Sequence, residues 1–541
     1  MRPEDIEFYK RIRVPLPTLS SRERMRRRWA SSNSYNLFKN TSAFTGKQLI
    51  TIYPPASPYK IYEHQVWYAD GWNPLDYARD YDASHSFFEQ FHDLQLAVPR
   101  PNLSSDKSNI NSDYTNTSRG LKNCYIVFDQ VGGEDLYYHQ CCVDDKNCVE
   151  CWALYGCDTC YECKLSERLF KCFFIEHSED CLESAFLWDC RNCDHCFMSS
   201  NLRNKKYYFR NEYVGKEEYE RRIRDIYFGD YHKLQDFLQE FKKMKIEAPK
   251  KPNWNERSEN ISGDFIRTSK NIYMGLYIED SENIAYSDGV LESRDSYDIS
   301  GFGAELCYEM HTILTKNNYG CKFSTSIDNC QNVEYSDLCR NCRNCFGCVG
   351  LSNKEFCIFN EQYSTDEYWR KVDDIKIKML EEKEYGEFFP PKYLVFPYHS
   401  ALVTSYPGFD DFEEAGKYGY DISLIEEPRA DMKGDIIEAN NLPSDIKNVG
   451  DDILDKIIFD KKNDKKFRII KQELDFYRQH GLPLPREHPS VRMDKWRKLF
   501  GIQLNFYSRK CMQCAKVIET SYSPDDSNIV YCESCYQKAL S

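Results

Sequence analysis

Long apolar runs are missing from this sequence. No stretch of 18 apolar residues occurs, and the segment from Met1 to Lys10 is charged from its start. A membrane-spanning helix needs about 20 apolar residues, and a secretory leader needs an apolar segment near its beginning. We therefore expect no membrane span, no leader and a cytoplasmic location.

Familiar catalytic motifs are missing as well. The chain has no P-loop, no Gly-x-Ser-x-Gly, no His-Glu-x-x-His and no dinucleotide fingerprint. Its 11 histidines are scattered, and His139, His177 and His195 lie among repeats, where we expect buried or turn positions. We predict that the protein is not an enzyme. A β-solenoid enzyme acting on glycans stays open, because the many acidic residues would allow an acidic cleft.

Cysteine, in contrast, is abundant, with 25 residues. Without a leader, this number indicates a reducing compartment, where cysteine serves as a metal ligand or a small buried hydrophobe. A disulfide-stapled secreted protein fits poorly, because the chain is long and its cysteines recur at a fixed period.

The middle of the chain is an internal duplication with an offset of about 149 residues. Cys172, Cys181, Cys190, Cys193 and Cys196 map onto Cys321, Cys330, Cys339, Cys342 and Cys345. Within each copy many cysteines are nine residues apart, and Asn often precedes Cys. A short fixed period is typical of a solenoid, and Asn suits turns because it tolerates left-handed backbone. We predict two parallel β-solenoid blocks with inward-pointing cysteines and leave the rung length open.

A second duplication joins the termini. Phe8-Tyr9 matches Phe476-Tyr477, and Pro15-Leu16-Pro17 matches Pro483-Leu484-Pro485. The predicted fold is therefore mainly β with some α: two tandem solenoid blocks flanked by zinc-ribbon-like terminal modules. The predicted domains are a degenerate ribbon-like module (1–95), solenoid block 1 (118–213), a helical cap or linker (214–250), solenoid block 2 (264–362), a helical cap (363–388), an irregular linker (389–450) and a zinc-ribbon module (451–541).

The most specific motif is Cys511-x2-Cys514-x17-Cys532-x2-Cys535. Two Cys-x-x-Cys knuckles at this spacing predict a four-cysteine zinc ribbon with one structural zinc ion. Its binding energy would contribute to folding. The N-terminal copy has Ser42, Thr45, Glu63 and Val66 at the corresponding positions, so we expect it to hold together by packing instead of zinc.

The cysteines of the solenoid blocks allow three interpretations. Internal comparison favours core packing, because Cys163 corresponds to Thr312 and Cys124 to Ile272, and a metal ligand would not tolerate such replacements. A metal or iron–sulfur cluster is one alternative, since Cys339 to Cys348 superficially resembles a ferredoxin segment. Redox disulfides are the other.

Both ends are basic, whereas the middle is acidic. Residues 1–40 carry a net charge of +6 and residues 461–516 carry +10, within a total of −14. Arginine pairs with phosphate, and aromatic rings stack on bases. The alternatives are a solvated helix face or a strap across the acidic solenoid. The candidate nucleic-acid contacts are Arg22, Arg24, Arg26, Arg27, Arg28, Trp29, Arg492, Lys495, Trp496, Arg497 and Lys498.

The chain resembles uncharacterised multi-domain zinc-ribbon, cysteine-rich repeat proteins of candidate-phyla (CPR/Patescibacteria-type) bacteria. The resemblance rests on the segment 467–477, Leu482-Pro-Leu-Pro485, the final ribbon and the Asn-Cys-rich middle. In that family a Cys-x-x-Cys usually follows the Pro-Leu-Pro segment, whereas Glu487-His-Pro-Ser490 and Ser20-Ser21 stand there in this sequence. The resemblance implies no transferable activity.

These observations lead to one functional prediction and two alternatives. We predict a non-catalytic, zinc-binding scaffold that holds a macromolecular partner of unknown identity. An RNA- or ribosome-binding protein acting through the basic ends is the first alternative, and an enzyme acting on glycans is the second. Whether the chain forms a homo-oligomer stays open.

Overall fold

A computed structural model describes residues 1–312, 317–425, 432–500 and 505–540. Over these ranges the chain is mainly β with several helices, as predicted, and two large parallel sheets contain most of the strands. Parts of the predicted block 264–362, linker 389–450 and module 451–541 lie outside the described residues.

The chain divides into two compact units, and each unit combines two segments. Unit 1 consists of Met1–Lys107 and Asn253–Glu427, and unit 2 of Ser108–Pro252 and Pro428–Ser541. The N-terminal segment therefore shares a unit with the second sheet, and the C-terminal segment shares a unit with the first. The boundaries predicted from the sequence follow the chain in order and did not anticipate this pairing.

The first sheet, in unit 2, has eleven described strands. Its neighbouring strands are parallel except for the last pair, and partners lie twelve residues apart, as in Tyr125–Tyr137 and Cys160–Cys172. The strands are Thr115–Lys122, Tyr125–Glu134, Tyr137–Lys146, Trp152–Tyr155, Asp158–Tyr161, Lys164–Glu167, Phe170–Glu176, Ala185–Trp188, Asp194–Ser200, Lys206–Phe209 and Glu212–Tyr213.

The second sheet, in unit 1, has thirteen described strands. The same twelve-residue register recurs, as in Cys345–Cys357, with occasional shifts to eleven, as in Tyr297–Tyr308. The strands are Glu259–Arg267, Lys270–Glu279, Glu282–Ala285, Asp288–Leu291, Arg294–Phe302, Ala304–Glu305, Tyr308–Thr312, Asn318–Tyr319, Lys322–Thr325, Gln331–Glu334, Arg343–Phe346, Glu355–Ile358 and Glu361–Gln362.

A three-residue backbone step generates this register. Left-handed residues recur at every third position, for example at Thr159, Glu162, Leu165 and Arg168. Such a conformation is uncommon for residues other than glycine, and hydrogen bonds to neighbouring strands offset its cost. The backbone N–H of Arg168 donates to Tyr155 O over 2.8 Å. Four steps make twelve residues, and every third side chain points into the core.

The nine-residue cysteine spacing is therefore three of these steps and not a structural unit of its own. Nine residues do not form one strand and one turn, because the backbone bends every three residues. The expectation about asparagine is confirmed. Every Asn that precedes a Cys at the repeat positions adopts a positive φ, namely Asn123, Asn147, Asn192, Asn329, Asn341 and Asn344.

Side chains stack along both sheets at the same interval. Inside, the two cores consist mainly of Cys, Ile, Leu and Val side chains, and each sheet closes around its own core. Outside, asparagines form ladders: Asn329 donates to Asn341 over 2.8 Å, and Asn341 donates to Asn353 over 3.0 Å. The prediction that the sheet cysteines point inward is confirmed, since all except the half-buried Cys141 are buried free thiols.

Helices and short strands make up the rest of unit 1. A capping box formed by Ser364 and Glu367 begins the helix Thr365–Glu381, which lies in the predicted helical cap (363–388). The helices are Pro3–Ile12, Ser21–Ala30, His64–Trp67, Phe87–Ala97, Thr365–Glu381 and Phe412–Lys417. The strands are Phe38–Thr41, Gln48–Thr51, Ile61–Tyr62 and Arg100–Pro101, and 3-10 turns occur at Pro74–Tyr77, Pro391–Tyr393, Tyr398–Ser400 and Leu402–Ser405.

Unit 2 has a corresponding set of elements. Its helices are Lys216–Arg224, Tyr231–Glu247, Lys471–His480, Pro489–Phe500 and Glu533–Leu540. Its remaining strands are Ile436–Glu438, Ile457–Asp460, Lys465–Phe467, Tyr507–Lys510 and Val517–Thr520, and 3-10 turns occur at Ala439–Asn441, Ile446–Asn448 and Asp451–Asp455.

Candidate metal centre

Four cysteines converge at the C-terminal end of unit 2. An antiparallel hairpin pairs Lys510 with Val517, and its turn carries Cys511 and Cys514. Cys532 stands immediately before the helix Glu533–Leu540, which carries Cys535 in its first turn. Local structure thus places two short-spaced pairs face to face, although 17 residues separate them in the sequence.

The four thiols have the geometry of a metal site. Their sulfur atoms all lie within 4.8 Å of one another, and Cys514 Sγ is 3.6 Å from Cys532 Sγ. A tetrahedral zinc site with Zn–S bonds of about 2.3 Å places its sulfurs about 3.8 Å apart. The group can therefore hold a metal ion, and zinc suits its ligands and its spacing.

Hydrogen bonds favour the thiolate form that a metal requires. The backbone N–H of Cys532 donates to Cys511 Sγ over 3.1 Å. The Ser534 hydroxyl, 3.3 Å from Cys532 Sγ, is the main cause of the lowered pKa of Cys532, about 6. Interaction with the Cys532 thiol raises the pKa of Cys535 to about 12. A bound cation would displace the protons that remain on these sulfurs.

The module that carries the four cysteines is anchored to the first sheet through Tyr536. This fully buried ring follows Cys535, and its hydroxyl contacts Asp189. Arg203 and Asn201 reach the same hydroxyl over 3.0 and 3.2 Å. Tyr536 therefore ties the C-terminal four-cysteine module to the sheet.

The N-terminal copy has the same backbone without the thiols. Ser42 N–H donates to Lys47 O over 2.8 Å, and Cys511 N–H donates to Lys516 O over 2.8 Å. Ala43 N–H donates to Ile61 O over 2.8 Å, as Met512 N–H does to Val530 O over 3.0 Å. The alignment that places Ser42, Thr45, Glu63 and Val66 at the ligand positions is thus supported by structure.

A carboxylate bridges the two halves of this N-terminal copy. Ser42 Oγ donates to Glu63 Oε2 over 2.6 Å, and Thr45 Oγ1 donates to the other oxygen. Ser42 Oγ in turn accepts the backbone N–H of Thr45 over 3.0 Å. The sequence predicted that packing holds this copy together, and Trp67 is indeed buried, but the hydrogen-bonded bridge was missed.

The first basic segment, in the helix Ser21–Ala30, faces the second sheet. Arg24 Nη2 is 2.8 Å from Asp298 Oδ2, and Arg28 Nη1 is 3.0 Å from Asp298 Oδ1. All three side chains are buried. Trp29, also fully buried, donates its indole N–H to Asp288 over 2.9 Å.

The second basic segment, in the helix Pro489–Phe500, faces the first sheet in the same way. Arg492 is buried and contacts Glu150. Arg497 donates to Gln140 Oε1 over 3.0 Å, and the buried Trp496 ring lies 4.9 Å from the ammonium group of Lys164.

The two arrangements are copies of each other. Arg24 and Arg492 occupy matching positions in the terminal duplication, and their carboxylate partners Asp298 and Glu150 match in the sheet duplication. The buried Tyr138 also donates to Glu473 over 3.0 Å, as Tyr286 does to Asp5 over 2.8 Å. Sequence comparison found both duplications but missed their pairing, because the partners are hundreds of residues apart.

The structure therefore changes the interpretation of the candidate nucleic-acid contacts. Buried within their own units are Arg24, Arg26, Arg28, Trp29, Arg492, Trp496 and Arg497, and Arg27 is partly buried. The exposed members are Arg22, Lys495 and Lys498. The buried residues act as a strap on an acidic sheet, which was the alternative to nucleic-acid contact.

Comparisons with known proteins add no family. No protein-family model matches the chain, and no curated protein matches it. Within the described ranges, no helix combines the length and apolar character needed to cross a membrane.

Proposed function

We propose that the protein is a non-catalytic, zinc-stabilised scaffold that holds a macromolecular partner. Its two closed sheets are β-solenoids, and its ends are ribbon-like modules, one with zinc and one without. The observation that carries the proposal is that charged residues of the basic segments are buried in contacts within the protein. In both units, buried arginine–carboxylate pairs fasten a terminal helix to a sheet, as Arg24 does with Asp298 and Arg492 with Glu150.

Solenoid winding is supported by the register. Parallel strands normally need a crossover of a dozen or more residues, usually a helix. Here Cys160 pairs with Cys172, and Cys345 with Cys357, so strand and connection together take only twelve residues. Left-handed corners at every third residue supply the connection, because they turn the chain without any added segment.

Zinc in the C-terminal module is supported by the sulfur spacing and by the hydrogen bonds that favour thiolates. Four protein ligands would leave no open position, so the ion is structural. The similarity to candidate-phyla zinc-ribbon proteins is part of the proposal and rests on residues 467–477 and 482–485, the final ribbon and the Asn-Cys-rich middle.

Elemental analysis of the full chain tests the zinc assignment. Cys532→Ser should lose one zinc per chain, because three thiolates bind zinc far more weakly than four. Hydrogen exchange should then rise in residues 505–540, while residues 115–213 stay protected. Cys181→Ala is the matched control: it removes a buried sheet thiol and should keep the zinc content. A Cys532→Ser chain with unchanged zinc would remove the proposal.

The partner is tested separately. Light scattering measures the molar mass of the full chain and shows whether a second copy is the partner. The mass of a single chain would exclude a second copy. Of the candidate nucleic-acid contacts, Arg22, Lys495 and Lys498 are exposed, and substitution of the two lysines tests whether they bind RNA.

A further inference from the structure

Three potential metal ligands share one strand of the first sheet. His139, Cys142 and Asp145 lie in Tyr137–Lys146 at three-residue intervals, so the backbone step turns all three side chains into the core. Each is about 1% exposed or less. One ligand atom from each residue lies within 4.8 Å of the other two.

The polar atoms of this group are incompletely satisfied. His139 Nε2 is 3.0 Å from Asp145 Oδ2, whereas His139 Nδ1 is buried without a hydrogen-bond partner among the described residues. The thiol of Cys151, twelve residues further on, also interacts with the imidazole. A buried polar atom without a partner is costly, so its retention needs an explanation.

The duplicated sheet shows what these positions require for folding alone. Tyr138 of the first sheet is equivalent to Tyr286 of the second. With the same offset, the equivalents of His139, Cys142, Asp145 and Cys151 are Ser287, Val290, Ser293 and Ile299. Asp145 Oδ1 accepts the backbone N–H of Cys157 over 2.7 Å. Ser293 Oγ accepts that of Ala304 over 3.0 Å. A serine therefore fulfils the structural role of Asp145, and small or apolar residues fill the other positions.

We propose that His139, Cys142 and Asp145 form a second, closed site for a transition-metal ion of the zinc type, with Cys151 beside it. One imidazole nitrogen, one thiolate and one carboxylate oxygen are ligands that zinc accepts. The charges also balance, because the carboxylate and one thiolate neutralise a dication and leave no net charge in the core. The inference goes beyond the proposed function, since these three residues lie in a strand of the first sheet and not in the module that carries the four C-terminal cysteines.

Metal counting on full-length chains tests the site. Chains purified from zinc-supplemented cells, without chelator, are analysed for zinc, iron, cobalt, nickel and copper. We expect two ions per wild-type chain and one in Cys532→Ser. The variant His139→Ser/Cys142→Val/Asp145→Ser carries the residues of the duplicate sheet and should fold with one ion. Combined with Cys532→Ser, it should contain none.

The outcomes separate this site from the C-terminal one. One ion in the wild type and none in Cys532→Ser would overturn the second site and show that His139 and Asp145 are a buried pair only. Unchanged metal in Cys532→Ser would instead count against the C-terminal site. Asp145→Asn keeps the shape of the side chain and should also lose one ion, so the conclusion does not depend on the folding of the triple variant.

Discussion

Ser42 donates a hydrogen bond to Glu63 over 2.6 Å, at the positions where the C-terminal copy has Cys511 and Cys532. A carboxylate with two hydroxyl donors thus joins the halves that a metal can join in the other copy. Partial burial opposes ionisation of Glu63, but the hydrogen bonds from Ser42 and Thr45 outweigh it and hold its pKa below the usual range.

This correspondence predicts that a metal site can be restored. The variant Ser42→Cys/Thr45→Cys/Glu63→Cys/Val66→Cys should gain one zinc per chain, because the backbone turns of both copies share the same hydrogen bonds. Elemental analysis and the cobalt(II)–thiolate absorption measure the gain. Glu63→Cys alone offers a single thiolate and should gain none. A folded fourfold variant without extra metal would show that the two backbones differ where the ligands attach.

The buried arginines predict a large stability effect. Arg28 is fully buried against Asp298 and Glu309, so Arg28→Met leaves these two buried carboxylates with Arg24 alone as their cationic partner. Removing one partner of such a group costs about 3–5 kcal/mol. Denaturant unfolding of the full chain measures the loss in unit 1. Lys498→Met, on the exposed face of the other basic helix, should change stability by less than about 0.5 kcal/mol. Equal effects would contradict the strap.

Nucleic-acid binding is tested on the exposed residues Lys495 and Lys498. If the chain binds RNA, affinity falls with salt because cations on the protein displace counterions from phosphate. Lys495→Gln/Lys498→Gln should flatten that slope, whereas Arg26, Arg27 and Arg28 variants should act through stability. Binding to a labelled RNA is measured over a salt series. Absence of binding at low salt would leave protein partners alone.

Core packing predicts a graded response at Cys181. The residues twelve positions before and after Cys181 in the same stack are Leu169 and Cys193. Both thiol and aliphatic side chains therefore fit this stack. Cys181→Ala should cost about 1 kcal/mol or somewhat more, and Cys181→Val should cost less. Thermal unfolding of the full chain gives the order. If both variants collapse unit 2 equally, the residue has a role that volume does not explain.

Glu473 makes stability depend on pH. Burial raises its pKa from 4.5 to about 7, although hydroxyl groups of Tyr477 and Tyr138 donate to it. Because the folded protein favours the neutral carboxyl, this contribution to stability is fully present below the pKa of Glu473 in the unfolded chain. It is lost as the pH rises through the pKa of Glu473 in the folded protein. Unit 2 should therefore lose up to about 3 kcal/mol between these values.

Glu473→Gln cannot ionise and should flatten this dependence, as measured by denaturant unfolding from pH 4.5 to pH 7. Asp475→Asn, on the exposed face of the same helix, is the matched control and should keep it. A wild-type profile without any decline over this range would show that Glu473 keeps an ordinary pKa.

Local chemistry was readable from the sequence. Knuckle spacing identified Cys511, Cys514, Cys532 and Cys535, because two short-spaced pairs need only a local turn to converge. Asn before Cys identified left-handed positions, since that preference belongs to the residue itself. Both duplications were visible as repeated sequence segments. The short repeat period in turn predicted the mainly-β class.

Tertiary structure decided which segments meet. The nine-residue spacing of Cys172, Cys181 and Cys190 is equally compatible with several windings, and only backbone hydrogen bonds fix a twelve-residue register. The N-terminal segment packs on the second sheet because Arg24 and Arg28 find Asp298 there. Nothing local in a basic helix reveals whether its charges meet phosphate, water or a buried carboxylate. That choice depends on long-range packing, which brings together residues more than 250 positions apart.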